Sequence, residues 1–269
     1  MLDRPGSRWV ISSLLPLLAR KSKHGVRSLN YANGWVHQFD EAVVVEPEPR
    51  MRCQHISEES NQGIWGLLYT PRQGDVVVDV GAGLGSESLY YARKVASTGR
   101  VLAVEAHPII CDFLKRSIEL SGFSHVTVMN LAVTDMQQTV MIENDLKHHL
   151  GNAIARDGTG VAIEGLPLDS ICAMAGITHV DFLKMNIEGA ERLALGGMEN
   201  ILLRTKFVCI SCHDFKFRET GNEFFRTKEL VENYMRRHGF KMVPRSNADR
   251  EIADQVNAYN PALVQVAGD

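Results

Sequence analysis

Gly74-Asp75-Val76-Val77-Val78-Asp79-Val80-Gly81-Ala82-Gly83-Leu84-Gly85-Ser86 decides the fold. Its first half is a short β-branched run, the pattern of a strand buried on both faces. Its second half is a glycine-rich turn. The spacing that follows predicts a helix over 85–96, with Leu89, Ala92 and Ala96 on one face. Further along, 101–104 reads as the next buried strand. A helix is predicted over 108–120, with Pro108 in its first turn and Gly122 just past its end. A third strand is predicted over 126–129. The alternation of strand and helix predicts a parallel sheet covered on both faces.

The pattern continues to the end of the chain. Residues 133–168 read as short strands and loops. A helix is predicted over 168–175, a fourth strand over 180–185, a helix beginning at Glu188, and a fifth strand over 207–211. The next helix covers 227–238, and 240–243 with 262–266 suggest a closing edge. The predicted fold is a doubly wound, mostly parallel Rossmann-like sheet. Residues 1–65 lack clear periodicity and are taken as an appendage, a lid or an interface, to a main domain of 66–269.

Composition narrows the class. The chain has 269 residues, 45% of them apolar, and a formal net charge of −3. That balance gives no reason to expect a nucleic acid or an anionic membrane as partner. Arg4, Arg8, Arg20, Lys21, Lys23 and Arg27 gather near the start and read as a solvated arm. The apolar stretch over 9–19 contains Pro16, is too short to span a bilayer, and suits a packing or homodimer contact. Five cysteines lie without a disulfide rhythm, and the lone pair Cys209 and Cys212 reads as core thiols. A reducing cytoplasm is the expected setting.

Ligands of such sheets sit at the carboxyl ends of the strands. Gly85 is followed by Ser86-Glu87 rather than Lys-Ser or Lys-Thr, so a phosphate-gripping loop is excluded. The third glycine also comes one residue early for a dinucleotide loop. Asp79 before the loop and Glu87 after it would repel a pyrophosphate and would suit the ammonium and sulfonium of S-adenosylmethionine. Glu105, at the end of the second strand, stands where an acid meets ribose hydroxyls. Asn130, at the end of the third, either meets an adenine edge or is a turn residue.

Three segments then carry a family resemblance: 74–82 continuing to Gly85 and Ser88, Val104-Glu105-Ala106-His107-Pro108, and 180–191. The last, Val180-Asp181-Phe182-Leu183-Lys184-Met185-Asn186-Ile187-Glu188-Gly189-Ala190-Glu191, is the most specific. Over about 66–197 the chain resembles the FkbM-type family of S-adenosylmethionine-dependent methyltransferases. The resemblance implies a seven-stranded sheet with its last strand antiparallel, and O-methylation of a hydroxyl on a sugar, glycolipid or natural product. It places Asp79, Gly81, Gly83, Glu105 and Asn130 around the cofactor, together with Gly85 and Ser88 of the first segment. Gly83 stands where the family often has Asn, and Asn186 where it usually has Asp.

Methyl transfer to a hydroxyl gains from positioning and from a general base. His213 follows the fifth strand, has an ordinary pKa near neutrality, and is the first candidate for that base. Asn186 and Glu188 would orient the acceptor or the cofactor amine. Glu188 and Glu191 also read as first-turn acids favoured by the helix dipole. Asn186 cannot take a proton, so a non-catalytic cofactor-binding scaffold is the second reading. A nicotinamide oxidoreductase is disfavoured by the loop register. No metal is expected: His148 and His149 are adjacent and would point apart in extended chain. His37 and His55 read as surface loop histidines. The expected partner is a small-molecule or glycan acceptor.

Overall fold

The computed structural model describes residues 6–53, 55–143, 160–245 and 250–264. Its largest sheet has seven strands, in the spatial order Lys241–Val243, Gln255–Tyr259, Thr205–Ser211, Val180–Met185, Val76–Val80, Arg100–Val104, Val126–Met129. The strand Gln255–Tyr259 runs antiparallel to both neighbours, and the remaining core pairs are parallel. The strand order reverses at Val76–Val80, which lies between the second and fourth strands of the core. That switch point puts the glycine turn at the carboxyl edge, beside the end of Val180–Met185.

The period of two sorts the core residues. Val77, Val101 and Phe182 pack on one face against Tyr90, Tyr91 and Val95 of the helix Ser86–Val95. Val76, Val78 and Leu102 pack on the other face, against Leu168, Ile171, Val231 and Met235. Cys209 joins the first cluster and Cys212 the second, and all five cysteines are buried and unpaired.

Two expectations need correction. The closing strand is Gln255–Tyr259, not 262–266; Pro261 follows it, and residues 265–266 lie outside the described ones. The helix expected from Glu188 begins only at Glu191, because Glu188 and Gly189 both take left-handed backbone, with φ of 56° and 92°. A further helix, Asp214–Thr220, stands between the fifth strand and the helix predicted over 227–238.

The described residues between 6 and 65 form regular structure. A helix, Arg8–Ala19, precedes a three-stranded antiparallel sheet of Ser28–Tyr31, Trp35–Gln38 and Val43–Glu46. Four-residue strands are too short to show an alternation in sequence. This sheet lies on the helix Pro108–Leu120: the Val45 N–H donates to Ser117 Oγ at 2.8 Å and the Val43 N–H to Ser121 Oγ at 3.0 Å. Trp35, Phe39 and Val44 share one apolar cluster with Leu89, Ala103 and Leu114 of the main sheet and its helices. A further small sheet, of Ala132–Val133, Val161–Leu166 and Gln138–Ile142, extends from the third core strand. His148 and His149 lie outside the described residues. Among the described residues no helix is long and apolar enough to cross a membrane.

Candidate active site

A cavity of about 610 Å³ opens at the carboxyl edge of the sheet. Its floor is the turn after the first strand, with Gly81, Ala82, Gly83 and Leu84 on the wall. Gly81, Gly83 and Gly85 all have positive φ, of 73°, 56° and 90°. Gly81 is fixed by contact as well: a Cβ there would lie 2.0 Å from the Asn186 carbonyl oxygen. Gly83 is the opposite case, since a Cβ there would meet nothing within 4 Å. Its backbone faces open space, where a ligand can approach closely. Gly85 packs instead against Leu114, 2.3 Å from a would-be Cβ, and does not line the cavity.

Asp79 and Ser88 lie beneath this floor. Both are fully buried, and the Ser88 hydroxyl donates to Asp79 Oδ2 at 2.6 Å. Asp79 Oδ1 is 2.8 Å from Nζ of Lys184, which also donates to the Gly81 carbonyl at 2.9 Å and sits 5.1 Å from the Trp65 ring centroid. Burial would lower the Lys184 pKa, but Asp79, Glu87 and Glu105 outweigh it and hold the ammonium above its ordinary value. Asp79 therefore repels nothing: its charge is cancelled, and it serves the ligand only by bracing the loop. The electrostatic preference for a cationic ligand falls to Glu87 and Glu105, which do line the cavity. Sequence reasoning missed Lys184, although a signal existed. Lys184 is the one base in two mainly apolar core strands, and the sheet register sets it beside Asp79.

Glu105 Oε2 accepts from the Gly83 N–H and Oε1 from the His107 N–H, both at 2.8 Å. Burial pushes this carboxyl up despite those bonds. Each oxygen keeps a lone pair for a hydroxyl. Asn130 does not reach the cavity. Its amide donates to the Glu105 and Ala106 carbonyls, at 2.9 and 2.8 Å, and so holds the turn that carries Glu105. Leu131, Ala132, Val133 and Ile142 supply an apolar wall there instead.

At the end of the fourth strand Asn186 lines the cavity, and its Oδ1 is buried without a hydrogen-bond partner among the described residues. Glu188 lines it too. Its Oε1 is 3.3 Å from His213 Nε2, and its Oε2 accepts from Lys216. Burial would raise this carboxyl, but His213 and Lys216 outweigh it and hold it below its ordinary value.

His213 is not in the cavity wall. It is 3% exposed, wedged between Glu188 and Glu191, with Nδ1 3.3 Å from Glu191 Oε1. Burial would lower its pKa, but the two carboxylates outweigh it and lift it to about 9. At neutral pH the ring is an imidazolium that positions Glu188. It has no lone pair for a substrate proton, and the base role expected of it is corrected on that ground.

The appendage supplies the remaining wall: Glu46, Arg50, Arg52, Cys53, His55 and Trp65. Glu46 ends the strand Val43–Glu46, is 2% exposed, and has Oε2 2.5 Å from Arg50 Nε. Burial pushes its carboxyl up to about 7, against Arg50. His37 is no surface residue. It is fully buried, accepts from the Arg50 N–H at 2.8 Å, and is pushed down to about 4 by burial. His55 is exposed, as expected, and borders the cavity.

The fold and site define a nucleoside-cofactor-binding α/β domain. Residues 79–242 match the Methyltransferase FkbM domain, well over half of the chain, which therefore belongs to that family. Its cofactor is S-adenosylmethionine, and the site fits it. The open backbone at Gly83 leaves room for the ligand, the unpartnered Asn186 Oδ1 suits an ammonium donor, and Glu105 suits the ribose hydroxyls. The chain is 37% identical over 84 residues to the protein-L-isoaspartate O-methyltransferase of Methanopyrus kandleri, covering 31% of this chain and 37% of that one. It is 23% identical over 235 residues to the AMB antimetabolite synthetase AmbE of Pseudomonas aeruginosa, covering 72% of this chain and 11% of that one. It spans less than half the length of the curated relatives it matches. A solved structure of methyltransferase FkbM from Methylobacillus flagellatus shares 20% identity, with a TM-score of 0.49 over 76% of this chain and 50% of that one.

Proposed function

We propose that the chain O-methylates a hydroxyl of a small acceptor, a sugar, glycolipid or natural product, with Glu46 as the general base. The carrying observation is that this buried carboxylate opens on the same cavity as the glycine turn, Glu105 and Asn186. S-adenosylmethionine supplies an electrophilic methyl carbon. The protein's part is to bind, to position, and to take the hydroxyl proton. Asn186 has no proton-accepting carboxylate, His213 is already protonated, and Glu188 is held too acidic. Glu46, at about 7, is matched to neutral pH, where a base works best. Glu105 and the loop backbone hold the nucleoside, Asn186 and Glu188 the amino-acid end. Five buried, unpaired thiols favour a reducing, cytoplasmic setting.

The test is methyl transfer from labelled cofactor to a panel of hydroxylated acceptors. Glu46→Gln should lower kcat by on the order of 10²–10⁴ while leaving cofactor affinity unchanged. It should also remove the rise in kcat expected of the wild type as pH passes about 7. A Glu46→Gln enzyme with wild-type kcat would refute the base. Cofactor binding with no turnover on any acceptor would favour the scaffold reading that Asn186 suggests.

A further inference from the structure

The helix Arg8–Ala19 is anchored along one side only. Ile11 and Ala19 are buried in the appendage's apolar cluster, with Leu15 packed beside them. The outward half is apolar as well: Trp9, Leu14, Leu17 and Leu18 are 71%, 51%, 65% and 68% exposed. At 100° per residue these four fall within one half of the helix surface. A soluble surface helix carries charge on that side. Here the charge is displaced to the helix end and is of one sign.

Between Asp3 and Asp40 the chain has six Lys and Arg residues and no acid. Arg20 and Lys21 follow the helix directly and have no acidic partner among the described residues. Arg8 lies over the Tyr31 ring, Lys23 pairs with Glu59, and Arg27 with Asp40. The cations at the helix end thus keep net positive charge beside the exposed Trp and Leu side chains.

We propose that this helix docks the protein on an anionic lipid surface, lying in the interface plane with Trp9, Leu14, Leu17 and Leu18 inserted and Arg20 and Lys21 against the headgroups. The composition suits an interfacial helix: large apolar side chains including Trp on one face, and Arg20 and Lys21 at its end without an acidic partner among the described residues. Each cation near such a surface strengthens binding several-fold. Charge also decides against a second copy as occupant, since a two-fold pairing of this face would bring two all-cationic segments together. The inference is independent of the acceptor and of Glu46, because it concerns a surface outside the cavity.

The three tryptophans make the test specific. Trp35 and Trp65 are 0% and 6% exposed, so Trp9 alone reports a change at the surface. The full chain is titrated with vesicles of equimolar phosphatidylcholine and phosphatidylglycerol, then with phosphatidylcholine alone, and is also sedimented with each. Docking predicts a blue shift of Trp9 emission and co-sedimentation with the anionic vesicles, weakened by salt, and little of either with the neutral ones. Trp9→Phe should abolish the shift while keeping co-sedimentation. Arg20→Glu with Lys21→Glu should weaken binding by well over tenfold. Leu17→Ser with Leu18→Ser should do so by about tenfold or more per side chain. All five substituted positions are exposed, so the variants fold. Emission unchanged and protein left in the supernatant would overturn the proposal. So would a stable dimer in sedimentation velocity that Leu17→Ser with Leu18→Ser dissolves.

Discussion

Replacing Lys184 by Met should destabilise the protein more than any other conservative change at the site. The ammonium is 1% exposed and sits 2.8 Å from the fully buried Asp79 carboxylate. Removing it leaves a buried charge with only the Ser88 hydroxyl as donor, and frees the Gly81 carbonyl. Breaking a buried pair from one side costs about 3–5 kcal/mol. For a chain of this size each kcal/mol moves Tm by about 2–4 °C, so the melting point should fall by about 6–20 °C. Thermal and urea unfolding followed by circular dichroism measure this. The double variant Asp79→Asn with Lys184→Met removes both charges and should recover most of the loss, which separates a charge effect from a packing one. The pair also sets a pH dependence. The Lys184 pKa is raised above its ordinary 10.5, so its contribution is fully present below that value and is lost only as pH rises through the raised one. Stability at pH 7 in Lys184→Met within about 1 kcal/mol of the wild type would show that Asp79 is not held as an ion, and the reasoning fails.

Gly81→Ala should abolish cofactor binding measured by calorimetry and lower Tm, because its Cβ would lie 2.0 Å from the Asn186 carbonyl. Gly83→Asn should retain binding, since that position takes left-handed backbone with open space around it. The His213 pKa is raised to about 9, so its stabilisation is complete below about 6.5 and is lost as pH rises to 9. The wild type should lose on the order of 3 kcal/mol over that window, and His213→Gln should show a flatter profile. Asn130→Ala should weaken cofactor binding through the Glu105 turn alone, so that Glu105→Gln with Asn130→Ala costs less than the sum of the two.

What could be read in the sequence follows from how each feature is encoded. Parallel strands buried on both faces appear as short runs rich in apolar residues, so Val76–Val80, a β-branched run, and Val180–Met185 were legible. The strand Gln255–Tyr259 has the same burial but carries Gln255 and Asn257, and a reading by apolar pattern slid past it to 262–266. The appendage was hidden by strand length, because four residues give no period.

The site shows a sharper division. Residue type and position located Gly81, Gly83, Glu105, Asn186 and Glu188, all of which line the cavity. Charge state was not legible, because it depends on partners brought from elsewhere in the chain. Asp79 looked like a ligand-facing acid until Lys184 neutralised it. His213 looked like a base by its ordinary pKa, until Glu188 and Glu191, at the turn and helix start after the fourth strand, fixed it as an acid. Nothing in the sequence singled out Glu46, and burial within the appendage pushes its carboxyl up to about 7 at the cavity wall. The same physics acts in all three. Desolvation raises the cost of every charge, and the groups that keep theirs are those with a counter-ion in contact. Glu46 has Arg50 on one oxygen, which is enough to hold the pKa near 7 but not to return it to the ordinary carboxylate range. Arg50 therefore tunes the base. Arg50→Ala should carry the inflection in kcat to higher pH, and a profile that stays in place would detach Glu46 from the chemistry.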